Sequence, residues 1–144
     1  MKNIVLLSVG VALGASSLPV HSAEHGSKTA AVDISKLPPA ADKKGVMFAN
    51  DIKPIFDKSC TRCHGPEKPK ARLRLDSLQA ALKGGEDGKV IEPGESAKSM
   101  LVINVARIGD EETFMPPPRN KAKIQPLTKE EVGLVRAWID QGAK

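Results

Sequence analysis

Apolar residues recur at helical spacing in four stretches of the chain, and alternating strand-like patterns are weak. The first stretch places Ile52, Ile55 and Phe56 on one face, with Asp51 as a candidate cap and Pro54 in the first turn, where its missing N–H costs little. The second contains Leu73, Leu75, Leu78, Ala81 and Leu82, with Asp76 or Ser77 as a cap and Gly84 as a stop. A third runs over about residues 96–107 with Met100, Leu101, Ile103 and Val105 as its apolar content. The fourth is the best defined: Thr128 and Glu131 have capping-box spacing, Val132, Val135 and Ile139 repeat behind them with Leu134 and Trp138 alongside, and Gly142 marks the end. Between these lie two long Gly- and Pro-rich stretches, 84–94 and 108–126, too long to be idle connectors in a small domain and therefore expected to wrap on something.

The start of the chain reads differently. Lys2 precedes an apolar run over residues 4–18, and small residues follow to Ala23, which is the pattern of a secretory signal peptide over 1–23. The run is shorter than the roughly 20 apolar residues that span a bilayer, so a leader is expected rather than an anchor. Residues 24–44 lack apolar periodicity and are expected to form a flexible N-terminal tail, leaving 45–144 as the folded domain. About 100 residues make a thin core. Aromatics are 3% of the chain, with 1 Trp and no Tyr, and a large prosthetic group at the centre would account for that scarcity.

Charge narrows the partners. The chain carries 22 Lys and Arg against 17 Asp and Glu, a formal +5; a leader at 1–23 would remove only Lys2 and leave +4. This excess is spread along the sequence, without the dense basic runs and stacking aromatics of a nucleic-acid binder, and suits docking to acidic protein partners.

The chemistry is concentrated in Cys60-Thr61-Arg62-Cys63-His64, a C-x-x-C-H motif that uses both cysteines of the chain. The spacing suits covalent haem attachment: two thiols each add to one vinyl group of a porphyrin while the next side chain reaches the iron. At i, i+3 and i+4 these side chains project from one side of a helix end. A disulfide or thioredoxin-like pair would also use two such cysteines, but the βαβ context of the latter is missing. A structural zinc site needs four ligands, and only Cys60, Cys63 and His64 cluster. A second axial ligand must come from Met47, Met100, Met115, His21 or His25. Met115 is favoured because it stands in Phe114-Met115-Pro116-Pro117-Pro118, where prolines stiffen the chain and leave no backbone donor stranded near an apolar cofactor. Met47 and Met100 read as packing residues, His25 falls in the tail, and His21 leaves with the leader.

Phe48 to Gly65 (FANDIKPIFDKSCTRCHG), Leu73-Arg74-Leu75-Asp76, Gly84-Gly85, Pro93-Gly94, Ser99-Met100-Leu101, Met115-Pro116-Pro117 and Trp138-Ile139 before Gly142-Ala143, in this order, resemble the Planctomycete-type cytochrome c domain, a variant of class I cytochrome c. The resemblance covers residues 45–144. It implies an all-α, class I-like fold of three to five helices wrapped around one covalent haem c, with the first and last helices crossing. It also implies His64 and Met115 as the axial ligands of the iron. The expected function is that of an exported monohaem one-electron carrier between extracytoplasmic, periplasmic redox partner proteins, not an enzyme. The alternative is a gas-sensing or peroxidase-like haem protein with an open sixth position, although bacterial c-type peroxidases generally pair two haems and this sequence has one C-x-x-C-H.

Overall fold

The computed structural model describes residues 32–144, and among these the secondary structure is helical, with a single isolated bridge between Gly85 and Gly88 and no strand. The expected signal peptide and the histidines at 21 and 25 lie outside the described residues. No helix among the described residues is long and apolar enough to cross a membrane.

The helices are α1 (Lys53–Ser59), α2 (Thr61–His64), α3 (Leu78–Lys83), α4 (Met100–Val105) and α5 (Lys129–Asp140). A π-helical turn, Phe48–Ile52, leads directly into α1, so helical structure starts earlier than the sequence pattern suggests. Asp51 accordingly does not cap α1. It sits inside that turn, and its carboxylate reaches back to accept a hydrogen bond from the Met47 N–H at 2.8 Å. Pro54 falls in the first turn of α1 as expected.

Helix α5 forms where its signals lie. The Thr128 hydroxyl accepts from the Glu131 N–H, and the Glu131 carboxylate accepts from the Thr128 N–H at 2.9 Å. Such a cap stabilises a helix by about 1 kcal/mol. The buried face of α5 carries Val132, Val135, Trp138 and Ile139. Trp138 packs against Phe48 at 5.7 Å and against Phe56 at 6.2 Å with the rings nearly perpendicular, while Phe48 and Phe56 meet edge-on at 6.0 Å. Three of the chain's four aromatic residues therefore lie in one junction between the two ends of the fold. The rest of the core is aliphatic and includes Ile52, Leu75, Ile91, Leu101 and Val102.

The leucine-rich second stretch splits in two. Ser77 caps α3, which begins at Leu78, whereas Leu73 and Leu75 stand before it in extended chain. Both leucines are buried and Arg74 between them is not, which is the period-2 pattern of an extended segment. Backbone bonds explain the choice: the Leu75 N–H donates to the His64 carbonyl at 2.8 Å, and this pairing would be lost in a helix.

Residues 33–44, expected as part of a flexible tail, lie as a strap against α5. The Ala41 N–H donates to the Gly133 carbonyl at 2.9 Å, Arg136 donates to the Pro38 carbonyl, and Leu37 and Ala41 pack on the core. Arg136 and Asp140 also hold Ser96, whose N–H and hydroxyl both donate to the Asp140 carboxylate. Gly133 makes the strap possible: a Cβ there would lie 2.7 Å from the Pro39 carbonyl oxygen. In Gly133→Ala the helix gains about 1 kcal/mol of propensity, but the strap must move away. The expected result is little net change in stability together with faster hydrogen exchange at the Ala41 amide. Unchanged protection at Ala41 would contradict this packing.

Candidate functional site

One cleft brings the sequence-identified residues together. Ser59, Cys60, Cys63 and His64 line it from the junction of α1 and α2, and Val105 from the end of α4. Met115, Pro116, Pro117, Asn120 and Ile124 reach it from the long Pro-rich stretch, with Leu127 just before α5. About 410 Å³ of non-protein space lies in this cleft, part of it open to solvent. Of the two long loops, only 108–126 wraps on the cleft. The 84–94 stretch instead buries Ile91 in the core and offers the Val90 carbonyl to the Leu101 N–H at 2.9 Å.

The motif's geometry follows from a break in the helix. Cys60 ends α1 and caps α2, with φ of −120° and ψ of −44°, and its carbonyl accepts from the N–H groups of both Cys63 and His64. This short turn keeps the three side chains on the cleft. Both cysteines are free thiols here, Cys60 buried and Cys63 partly so. Burial, and then the neighbouring Cys63, push the Cys60 thiol up to about 12. A nucleophilic redox pair needs the opposite, a thiol lowered toward neutrality. The dithiol reading is weakened accordingly.

His64 is prepared on its far side. Its Nδ1 lies 3.1 Å from the Leu73 carbonyl oxygen, which assigns the proton to Nδ1 and leaves Nε2 with a free lone pair. Burial lowers the pKa of His64, against the opposing effect of its hydrogen bond to Leu73, and favours the neutral imidazole that a metal requires.

Met115 is half-buried on the cleft, and its N–H donates to the Asn104 carbonyl at 3.1 Å. Met47 and Met100, read from the sequence as packing residues, are each 48% exposed and neither lines the cleft. Asn120, which the sequence did not single out, braces the loop. Its amide donates to the carbonyls of Pro117 and Ile124, and its Oδ1 accepts from the Ile124 N–H at 2.7 Å.

Two thiols, an imidazole with a committed Nδ1, a thioether and an otherwise largely apolar lining are the donor set of a c-type haem protein. These residues fit the group. In keeping with that donor set, part of the chain is similar to a cytochrome c family. Residues 60–119 match the family model described as Planctomycete cytochrome C, a stretch that opens on Cys60 and includes Met115, and the recognition drawn from the sequence motifs is supported by that match. No curated protein and no solved structure matches the chain.

Proposed function

We propose that this chain is an exported monohaem cytochrome c of class I-like fold that passes one electron at a time between redox partner proteins outside the cytoplasm, and that it is a carrier and not an enzyme. The observation that supports this most directly is the convergence of Cys60, Cys63, His64 and Met115 on one cleft, with the His64 Nδ1 held by the Leu73 carbonyl. Cys60 and Cys63 would hold haem c through two thioethers, and His64 Nε2 and the Met115 thioether would be its axial ligands. Haem c bound this way supplies a ferric/ferrous couple, and a His and Met pair raises its potential relative to two nitrogen ligands.

The protein's own part is to orient and to exclude water. The Leu73 carbonyl fixes the plane of the imidazole, and Pro116 and Pro117 bring chain close to the cofactor without an N–H to satisfy. Val105, Ile124 and Leu127 supply apolar walls. Export rests on the leader-like residues 1–23 and agrees with the chemistry, because attachment of haem to a C-x-x-C-H motif takes place outside the cytoplasm. The modest positive charge suits acidic partners.

The test is mass spectrometry of protein matured with a cytochrome c assembly system. The expected product is the chain without residues 1–23 plus one haem that resists acid extraction, and Cys63→Ala should retain at most one thioether. Two free thiols in the mature wild type would end this reading.

A further inference from the structure

Arg107 occupies a backbone position that favours glycine. Helix α4 ends at Val105, Ala106 caps it, and Arg107 follows with φ of 57°. Its N–H donates to the Asn104 carbonyl, and the next N–H, of Ile108, returns to the Ile103 carbonyl at 3.2 Å, closing the helix end. An L side chain is disfavoured in this left-handed conformation relative to glycine. A residue held there at a cost calls for a use of its side chain.

That use is visible in the loop. Arg107 Nη1 donates to the Pro116 carbonyl at 2.8 Å, and its guanidinium carbon stands 4.8 Å from the centre of the Phe114 ring. Phe114 and Pro116 are the two neighbours of Met115, whose own N–H is bound to the Asn104 carbonyl. The three residues of this tripeptide are thus each tied to the end of α4, two of them by Arg107. The loop has little means of holding itself here, because Pro116, Pro117 and Pro118 offer no N–H. Asn120 braces its far side, and Arg107 closes the near side.

We propose that Arg107 is the positioning residue for Met115, setting where the thioether stands and how persistently it stays on the iron. This rests on the reading of Met115 as the distal ligand. The backbone conformation supplies an informative variant: Arg107→Gly removes the side chain while relaxing the left-handed residue, so any loss cannot be assigned to strain.

The experiment compares wild-type and Arg107→Gly holoprotein by three readouts. They are the far-red ferric absorption of methionine-bound iron, the affinity of the ferric protein for added imidazole, and hydrogen exchange at the Met115 amide. A charge-assisted hydrogen bond corresponds to about tenfold or more in a local open/closed equilibrium, so imidazole affinity and Met115 exchange should each rise by about tenfold. The far-red band should weaken while the denaturation midpoint shifts little, because relief of the left-handed conformation offsets part of the lost hydrogen bond. If the wild type shows the band and Arg107→Gly leaves all three readouts within twofold, the proposal is overturned and the Met115 reading survives. If the wild type lacks the band, both fail. Should Arg107→Gly not accumulate as holoprotein, Arg107→Asn removes the guanidinium from both Pro116 and Phe114 and keeps a residue that tolerates the left-handed conformation; changes in the same direction support the proposal, and unchanged readouts overturn it.

Discussion

Replacing Trp138 with alanine should destabilise the holoprotein by about 3–5 kcal/mol, the cost usual for truncating a fully buried aromatic residue. Trp138 is 0% exposed, and its neighbours cannot collapse into the space it would leave. Phe48 belongs to the π-helical turn and Phe56 to α1, both held by their own backbone bonds, and each ring packs against the indole. The indole N–H also donates to the Lys144 carbonyl at 3.0 Å, the same carbonyl that accepts from the Phe48 N–H at 2.9 Å. One side chain therefore joins α5, the π-helical turn and Lys144. Trp138→Phe keeps most of the packing and loses the hydrogen bond, so its cost should be smaller, about 1–2 kcal/mol. Chemical denaturation of the haem-loaded protein measures both. A loss below about 0.5 kcal/mol for the alanine variant is what surface residues show, and it would contradict the packing described.

The contrast between α5 and the strap explains what the sequence could convey. Helix α5 announces itself because Thr128, Glu131 and the repeating apolar residues are local signals, readable without knowing what they pack against. The strap over 33–44 is held mainly by backbone groups, the Ala41 N–H and the Pro38 carbonyl, and backbone bonds leave no hydrophobic pattern. A trace of it was present in Gly133. Glycine within a helix costs about 1 kcal/mol relative to alanine and is kept where something approaches closely. The extended state of Leu73 and Leu75 is hard to read for another reason. Their period-2 pattern is only three residues long and runs into the leucines of α3, so the longer helical pattern masked it.

The candidate site divides in the same way. C-x-x-C-H is readable because its spacing is the chemistry, and the Pro-rich setting of Met115 marks it by composition. The group that orients His64 was hidden because the Leu73 carbonyl, like every backbone carbonyl, has no sequence signature. Arg107 was hidden too. Nothing in the residue sequence marks a left-handed arginine or the loop it meets. The candidate ligands are marked by spacing and composition, while the groups that hold them, the Leu73 carbonyl and Arg107, act through backbone geometry that the sequence does not display.

Met115→Ala is expected to give the largest functional change, and it separates the carrier reading from the sensor and peroxidase alternatives. On the function proposed above, a thioether occupies the sixth position, so exogenous ligands must displace it before they bind. Wild-type ferric protein should then be low-spin, show the far-red methionine absorption and take up carbon monoxide slowly when reduced. In Met115→Ala the far-red band should vanish, carbon monoxide should bind readily, and the reduction potential should fall as water or a nitrogen ligand replaces the thioether. The fold should persist: Met115 is only half-buried, its N–H contact to Asn104 is unaffected by truncation, and two thioethers would still anchor the cofactor. Met100→Ala is the matched control, since Met100 is about half exposed and stands off the cleft. A high-spin wild type that binds carbon monoxide at once would move the function toward sensing or peroxide chemistry, because a carrier has no use for an open coordination position. Loss of the methionine band in Met100→Ala and not in Met115→Ala would instead leave the carrier function standing and reassign its distal ligand.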